Sequence, residues 1–249
     1  MFRQRGSRVH TSGRHTRRTF LSGACAAGGL LALGSGCAGA STASSAHTTP
    51  SAGERRTLGI ALLGLGNYSE TQLAPALKKT KHCTLRGIVT GSPGKVEPWR
   101  REHGIADRNV YDYQTLPRIA DNPDIDVVYV VVPTALHARY AIMVAEAGKH
   151  VFCEKPMAMT VAECQQIIDA CRVNRVSLSV GYRMQHEPNT QTVMQYAKQR
   201  PYGAIRSVRA VAGGRSEGEP SWRMQKSMGG GALYDMGVYS IKAIRYATG

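Results

Sequence analysis

Three side chains of this 249-residue chain, those of Lys155, Asp235 and Tyr239, can together transfer a proton. Lys155 lies in a Glu-Lys-Pro motif directly after the apolar run Val151–Cys153. A lysine at the carboxyl end of a parallel strand faces the edge where open α/β sheets bind ligands. Asp235 and Tyr239 are four residues apart, so they share one face of a helix. An ammonium beside a phenol favours its ionised form and lets it relay a proton at neutral pH. We therefore expect the three residues to meet across a ligand cleft.

A glycine-rich motif follows the first apolar run of the chain. The hexapeptide Gly-Leu-Gly-Asn-Tyr-Ser lies between the run Leu58–Leu63 and a helical segment, which is the context of a dinucleotide-binding turn. Gly64 would permit the tight turn, and Gly66 would let the backbone approach a pyrophosphate at a helix N-terminus. Ser69 replaces the usual third Gly or Ala and Pro75 interrupts the helix, so an ordinary glycine-rich turn is the alternative.

The end of the second strand bears on the choice between NAD and NADP. NAD enzymes usually place a carboxylate there against the ribose 2′-hydroxyl, whereas this chain reads Thr-Gly-Ser-Pro-Gly-Lys from Thr90 to Lys95. The Ser92 hydroxyl and the Lys95 ammonium can bind a 2′-phosphate that a carboxylate would repel. The sequence therefore favours NADP, with a solvated turn lysine as the alternative for Lys95.

Short β-branched runs alternate with helical patterns from residue 58, which indicates βαβ units and a parallel sheet. Each run is almost wholly apolar, as in strands buried on both faces. The predicted strands are Leu58–Leu63, Leu85–Thr90, Val127–Val132, Val151–Cys153 and Val176–Val180. The predicted fold class is therefore α/β, with a Rossmann dinucleotide-binding domain over residues 57–180.

Two helices can be placed from their ends. The pattern over Ala135–Ala147 is closed by Gly148, as expected for a C′ glycine. Thr160 and Glu163 form a capping box that opens a second helix. The apolar stripe of that helix comprises Val161, Cys164, Ile167, Ile168 and Cys171.

The pattern changes after Gly181. A helix around Thr190–Gln199 precedes Ala204–Val211, whose period-two alternation suggests a strand. We expect residues 181–249 to be the start of an α+β domain with an open, mostly antiparallel sheet, cut short by the end of the chain.

The first forty residues have the features of an export signal. Six arginines and no acidic residue precede a Gly/Ala/Leu-rich stretch about half as long as the ~20 residues that cross a bilayer. Arg17 and Arg18 lie in Thr-Arg-Arg-Thr-Phe-Leu, which is typical of the twin-arginine signal read by that export machinery. Cleavage after Ala40 is favoured, and a lipid anchor on Cys37 is the alternative. The Ser/Thr/Ala/Pro-rich residues 41–56 are predicted to be a flexible linker or arm.

Charge and cysteine content argue against two classes of site. The formal net charge is +15, of which +9 remains without the leader, and these bases are scattered without nucleic-acid-binding signatures. No nucleic-acid partner is therefore expected. The four later cysteines lack the spacing of zinc ligands, so no metal site is expected and buried free thiols are favoured: Cys83, Cys153, Cys164 and Cys171.

With these motifs in one order, the chain resembles the Gfo/Idh/MocA oxidoreductases from about Leu58 to Gly249. The resemblance is carried by G-L-G-N-Y, Y-D-Y, P-T-A-L-H-A, A-G-K-H-V-F-C-E-K-P-M-A, G-Y-R and G-G-G-A-L-Y-D-M-G-V-Y-S, which begin at Gly64, Tyr111, Pro133, Ala147, Gly181 and Gly229. Most members have His where Tyr239 stands, and Tyr there is similar to the glucose-fructose oxidoreductase branch.

The resemblance implies roles for individual residues. Lys155 and Tyr239 would be catalytic, with Asp235 assisting. The cofactor-binding residues would be Gly64, Gly66, Asn67, Tyr68, Ser92, Lys95, Tyr113, His137, Glu154, Lys155, Arg183, Trp222 and Arg223. For His137 a packing role at a helix start, and for Tyr113 a core position in a strand, are the alternatives.

The resemblance also implies an activity, namely hydride transfer from glucose to bound NADP, giving gluconolactone, coupled to reduction of fructose to sorbitol. A closed cycle suits an exported enzyme, because no NADPH supply is expected outside the cytoplasm. The alternatives are an exported NAD-dependent glycosidase of the same fold and a non-catalytic sugar-binding protein. The missing acid after Thr90 and the presence of Tyr239 argue against the first, and the intact Lys155, Asp235 and Tyr239 set argues against the second.

Members of this branch are similar also in having an exported precursor and an arm that covers the cofactor of a neighbouring subunit. A homo-oligomer is therefore expected of the whole protein, and this chain is expected to be its N-terminal fragment.

Overall fold

A six-stranded parallel sheet organises the fold. The structure is a computed structural model that describes residues 56–214 and 221–248. The strand order is β3-β2-β1-β4-β5-β6, and every neighbouring pair is parallel. This is the order of a doubly wound dinucleotide-binding sheet, so the predicted Rossmann fold is confirmed. The strands are β1 (Leu58–Leu63), β2 (Cys83–Val89), β3 (Val110–Tyr111), β4 (Val127–Val130), β5 (His150–Cys153) and β6 (Leu178–Val180).

Helices connect the strands and follow the last of them. They are α1 (Ala74–Lys78), α2 (Val96–His103), α3 (His137–Glu146), α4 (Val161–Val173), α5 (Pro188–Gln199) and α6 (Val238–Thr248). Two π-helical turns, Ser69–Leu73 and Leu233–Gly237, precede α1 and α6. Within the described ranges, no helix has the length and apolar character needed to cross a membrane.

The sheet is buried on both faces, as the apolar runs predict. Successive residues of β1 point to opposite sides of a pleated sheet. Ala61 and Leu63 join a core cluster with residues of α3 and α4, whereas Ile60 and Leu62 join a second cluster that contains Trp99 of α2. The carboxyl ends of the strands are therefore held between two packed layers.

The two predicted helix ends are confirmed, but the buried face of α4 is narrower than expected. Gly148 has φ +71° after α3, and Thr160 and Glu163 form the reciprocal capping box. The predicted stripe is wrong at Val161 and Ile168, which are 87% and 43% exposed. α4 packs against α3 through the row that contains the buried Ile167 and Cys171; Ile168 is one position beyond Ile167 and Val161 is the first residue of the helix, and both face solvent. All four later cysteines are free thiols, although Cys83 and Cys164 are only partly buried.

The strand expected over Ala204–Val211 is not formed, and the antiparallel sheet is not confirmed. Residues 205–214 have neither helix nor strand, while α5 starts at Pro188, two residues before the predicted helix. A strand needs a hydrogen-bonding partner, and no segment of the described part of the chain pairs with this one. Alternation alone therefore does not make this segment a strand.

The export signal predicted over residues 1–40, with Arg17, Arg18 and Cys37, lies outside the described residues, as do residues 41–55 of the predicted arm.

Candidate active site

A cleft of about 540 Å³ opens at the carboxyl ends of β1, β2, β4 and β5. Every residue that the sequence analysis assigned to the cofactor or to catalysis lines this cleft. Five further lining residues follow strands β1, β2 and β4, and these were not predicted: Leu65, Thr90, Val131, Val132 and Pro133. The rule that ligands bind outside the carboxyl ends of the strands could have found them.

The glycine turn after β1 has the geometry that a dinucleotide needs. Gly64 has φ +101°, and a Cβ there would lie 2.4 Å from the Val131 carbonyl oxygen. A Cβ on Gly66 would have no atom within 4 Å, so this side of the turn is open space. The exposed Gly66 and Asn67 therefore leave a cradle that a pyrophosphate fits at the start of the helix.

Ser69 explains how the turn tolerates the loss of its third glycine. Its side chain is fully buried, and its hydroxyl donates a hydrogen bond to the Gly64 carbonyl at 2.6 Å. The helical segment continues through the π-turn Ser69–Leu73 into α1 and is not broken at Pro75. Proline has no N–H for an i→i−4 bond, and the wider turn avoids the need for one.

Lys95 crosses from the turn after β2 to the glycine turn. Its Nζ donates to the Leu65 carbonyl oxygen at 2.6 Å, while the residue as a whole is exposed, so the bond gives the ammonium a defined position and the alternative of a solvated turn lysine stays open. Ser92 is exposed in the same turn, where its backbone N–H donates to the Thr90 hydroxyl at 3.1 Å. A hydroxyl and an ammonium, which has three donors, therefore border the cleft beyond β2.

Tyr113 forms a wall of the cleft next to this turn. It follows β3 and is not a strand residue, and its ring stacks on that of Tyr140 with centroids 4.8 Å apart. A Cβ on Gly91 would lie 2.8 Å from the Tyr113 ring, so the glycine lets the backbone contact it. The alternative is therefore wrong in placing Tyr113 in a strand, although its side chain does pack against the core.

His137 lines the cleft while its two nitrogens are used within the protein. Nδ1 lies 2.8 Å from the Pro156 carbonyl oxygen, and Nε2 lies 2.8 Å from that of Val132. The ring is 1% exposed, and burial lowers the pKa of the imidazole. The side chain thus joins the segment after β4 to the Glu-Lys-Pro segment after β5, which is the packing role that stood as the alternative.

Lys155, Asp235 and Tyr239 meet as predicted. The Lys155 Nζ donates to the Asp235 Oδ1 at 3.1 Å and to its carbonyl oxygen at 2.7 Å. The same ammonium lies 4.8 Å from the centroid of the Tyr239 ring. Asp235 lies in the π-turn before α6 and Tyr239 in its first turn, so residues four apart still face the same lysine.

A second cation reaches the same carboxylate from the segment 221–228. The Arg223 Nε lies 3.5 Å from the Asp235 Oδ2, and its guanidinium carbon lies 4.6 Å from the Trp222 ring centroid. Arg183, which follows β6, lines the cleft together with these residues. Asp235 thus lies between two cations at one end of the cleft.

Glu154 is a buried carboxylate in the wall of the cleft, with 8% of the residue exposed. Its Oε1 accepts a hydrogen bond from the Tyr129 hydroxyl at 2.5 Å, and its Oε2 accepts one from the Lys155 backbone N–H at 3.1 Å. Burial raises the pKa of Glu154, while the bond from Tyr129 acts in the opposite direction. Tyr68 is half-buried nearby, and burial followed by the Glu154 charge raises its pKa. Tyr129 was not predicted, and a lone hydroxyl in the apolar strand β4 was the available signal.

Within the described ranges, no three His, Cys, Asp or Glu side chains converge as metal ligands.

The sheet order, the glycine turn and the lysine after β5 define a Rossmann-type oxidoreductase class. Residues 58–182 match the oxidoreductase family with an NAD-binding Rossmann fold, and residues 190–249 match the Gfo/Idh/MocA C-terminal domain. The chain belongs to the Gfo/Idh/MocA oxidoreductase family, as the motifs predict.

Three relatives illustrate the family. An aldose-aldose oxidoreductase from Caulobacter crescentus, solved in complex with glycerol, is 40% identical with a TM-score of 0.72, covering 78% of this chain and 58% of its own. A levoglucosan dehydrogenase of Pseudarthrobacter phenanthrenivorans is 38% identical over 136 residues, covering 53% of this chain and 35% of its own. A D-xylose 1-dehydrogenase of Haloarcula marismortui, specified for NADP(+), is 26% identical over 195 residues, with 75% and 53% covered. The chain thus spans about half the length of the curated relatives it matches or less.

Proposed function

We propose that the protein is an exported, NADP-dependent oxidoreductase that removes hydride from an aldose. The observation that carries this proposal is the contact of Lys155 with both Asp235 and Tyr239 at the end of the cofactor cleft. The relatives named above are consistent with it, since two are named for aldoses and one for levoglucosan.

The cleft suits a nicotinamide dinucleotide, which supplies the hydride acceptor when bound. The open side of Gly66 provides room for the pyrophosphate, and Ser92 and Lys95 lie at the β2 side. The adenosine half would therefore lie over β2, which leaves the side of Glu154, Lys155 and Tyr239 for the nicotinamide half.

The chain's own residues would handle the proton. Oxidation of an aldose hydroxyl releases one proton from its oxygen, and Tyr239, reacting as its phenolate and becoming the phenol, is the group assigned to accept it. The Lys155 ammonium lies beside the Tyr239 ring, and Asp235 holds that ammonium through two hydrogen bonds. Arg223 on the second carboxylate oxygen fixes the orientation of Asp235.

A second sugar would complete the cycle by taking the hydride back, and we propose fructose, reduced to sorbitol, as in the glucose-fructose oxidoreductase branch. The proposal is tested by single-turnover mixing of the protein, loaded with NADP⁺, with glucose, xylose or fructose, followed at the absorbance of the reduced nicotinamide. Absorbance should rise with an aldose and fall again on addition of fructose. No rise with any aldose would reject the proposed activity, and a rise that added fructose did not reverse would reject the closed cycle.

Replacing Lys95 by Ala should weaken NADP⁺ binding by roughly tenfold or more and NAD⁺ binding far less, because only NADP⁺ has a 2′-phosphate for the ammonium to bind. The measurement is a pair of titrations of the nucleotide-free protein. Lys95 also donates to the Leu65 carbonyl, so Lys95→Gln, which keeps a donor without the charge, is the matched control. Equal losses for both nucleotides would mean that Lys95 only supports the glycine turn.

Replacing Arg17 and Arg18 together by Lys should keep the precursor in the cytoplasm, because the twin-arginine route reads the arginine pair and not its charge. Cell fractionation with an antibody against the mature chain measures this. As a matched control, Arg3 and Arg5, which lie outside the motif, are changed to Lys, and this double variant should be exported normally. Export of the Arg17 and Arg18 double variant would reject the assigned route.

A further inference from the structure

The Glu154 carboxylate has one defined position in the wall of the cleft. Tyr129 of β4 donates to one of its oxygens, the Lys155 backbone N–H donates to the other, and Gly181 after β6 lies against it. A Cβ on Gly181 would be 2.7 Å from the Oε1 atom and 3.1 Å from the Tyr129 hydroxyl. Residues from three neighbouring strand ends thus fix the carboxylate, and the missing side chain at Gly181 provides the space for it.

Tyr129 contacts the carboxylate but does not line the cleft. Its ring is 7% exposed and stacks on that of Phe152, with centroids 4.1 Å apart and an interplanar angle of 12°. The stacking fixes the ring, so the hydroxyl can reach only the Glu154 side of the strand. A buried hydroxyl with one acceptor favours the charged form of that acceptor.

We propose that Tyr129 is a positioning residue that keeps the buried Glu154 carboxylate charged, and that this fixed charge favours the oxidised, positively charged nicotinamide over the reduced one. The inference rests on the dinucleotide binding of the proposed function and on the nicotinamide half lying on the β5 side. A negative charge in a partly desolvated site acts strongly on a nearby cation. It has no comparable effect on the uncharged reduced ring.

Other groups also face Glu154 and affect whether its carboxylate is charged or neutral. Lys155 and Arg183 favour its charged form, and burial opposes it. Burial, followed by the Glu154 charge, raises the pKa of Tyr68, from the helix after the glycine turn, and of the neighbouring Cys153 thiol. Neither would be ionised at neutral pH, so the Tyr129 hydroxyl is the neutral donor whose removal tests the network without removing a cation.

The experiment measures the dissociation constants of NADP⁺ and NADPH, and of NAD⁺ and NADH, by titration of the nucleotide-free protein between pH 6 and 9. Tyr129→Phe keeps the stacking on Phe152 and removes the hydroxyl. At pH 7 this variant should bind the oxidised nucleotide more weakly relative to the reduced one. The ratio of the dissociation constant of the oxidised nucleotide to that of the reduced nucleotide should rise by about tenfold, which corresponds to ~1.4 kcal/mol.

The pH dependence distinguishes this role from a structural one. As pH falls through the pKa of Glu154, the carboxylate is protonated and the ratio rises. Without the Tyr129 hydroxyl that pKa is higher, so the rise should occur at higher pH. In Glu154→Gln, which removes the charge and keeps the shape, the ratio should be high at every pH.

Tyr111→Phe is the matched control. Tyr111 is also buried, its hydroxyl accepts a hydrogen bond from Asn122 at 2.7 Å, and it lies in β3 at the far edge of the sheet. This control variant should lower thermal stability without changing the ratio. If the ratio is unchanged in Glu154→Gln, the Glu154 charge does not have the proposed role. If the ratio changes in Glu154→Gln but both the ratio and its pH profile are unchanged in Tyr129→Phe, Tyr129 does not have the proposed role. Because no sugar is present, failure of the aldose assay would reject the proposed substrate and leave these readings intact.

Discussion

Tyr239→Phe should slow reduction of bound NADP⁺ by an aldose by about 10²- to 10⁴-fold, the range that general acid–base catalysis contributes. Phenylalanine keeps the ring beside the Lys155 ammonium, 4.8 Å away, and removes only the phenolic oxygen, which as phenolate would take the proton. The fold and the affinity for the nucleotide should therefore be preserved. Single-turnover absorbance of the reduced nicotinamide measures the step apart from product release.

Tyr234 is a matched control for this change. It lies five residues earlier in the π-turn before α6, and its hydroxyl donates to the Met159 carbonyl at 2.7 Å, outside the cleft. Tyr234→Phe should leave the rate within about twofold of the unaltered protein, since it removes no group from the cleft. If Tyr239→Phe reacts at the original rate, the proton leaves through another group, and Asp235 is the next candidate.

Gly66→Ala should abolish most nucleotide binding without destabilising the fold. In the protein alone the new methyl group meets nothing within 4 Å, so the unfolding midpoint should stay the same or rise slightly. The same methyl occupies the space assigned to the pyrophosphate. An added methyl group in a close contact costs roughly 1–3 kcal/mol, which corresponds to a loss of affinity of roughly 5- to 150-fold. Titration with NADP⁺ and NAD⁺ should show equal losses, because both contain the pyrophosphate.

Gly64→Ala and Gly213→Ala are two comparison variants for this prediction, one expected to be destabilised and one expected to be unaffected. A Cβ on Gly64 would clash with the Val131 carbonyl oxygen at a φ of +101°, so the unfolding midpoint should fall together with binding. A Cβ on Gly213 meets nothing within 4 Å and lies outside the cleft, so neither property should change. Retained affinity in Gly66→Ala would show that the pyrophosphate does not approach this turn.

Local patterns predicted what local physics controls. The run Leu58–Leu63 matches β1 residue for residue, and the Thr160 and Glu163 capping box forms as read from two residue types at the right spacing. The meeting of Lys155 with Asp235 and Tyr239 was also predictable, because a strand end and a helix face each fix the direction of a side chain.

Features that depend on a distant partner were not predictable in this way. β3 contains only Val110 and Tyr111, and it is a strand because β2 pairs with it. The reach of Lys95 to the Leu65 carbonyl and the bond from Tyr129 to Glu154 each join segments at least 25 residues apart. The segment Ala204–Val211 shows the converse, since its alternation lacks a pairing strand within the described residues.

The lysine bonded to Asp235 has a consequence for how the enzyme could fail. Lys155 follows β5, whereas Asp235, to which it donates, comes 80 residues later along the chain, so the proposed proton relay depends on how that later segment packs against the sheet. Damage to the packing of α6 would separate the two halves of the chemistry. A protein with this packing disrupted would still bind the dinucleotide with normal affinity in a binding assay, yet it would have no catalytic activity.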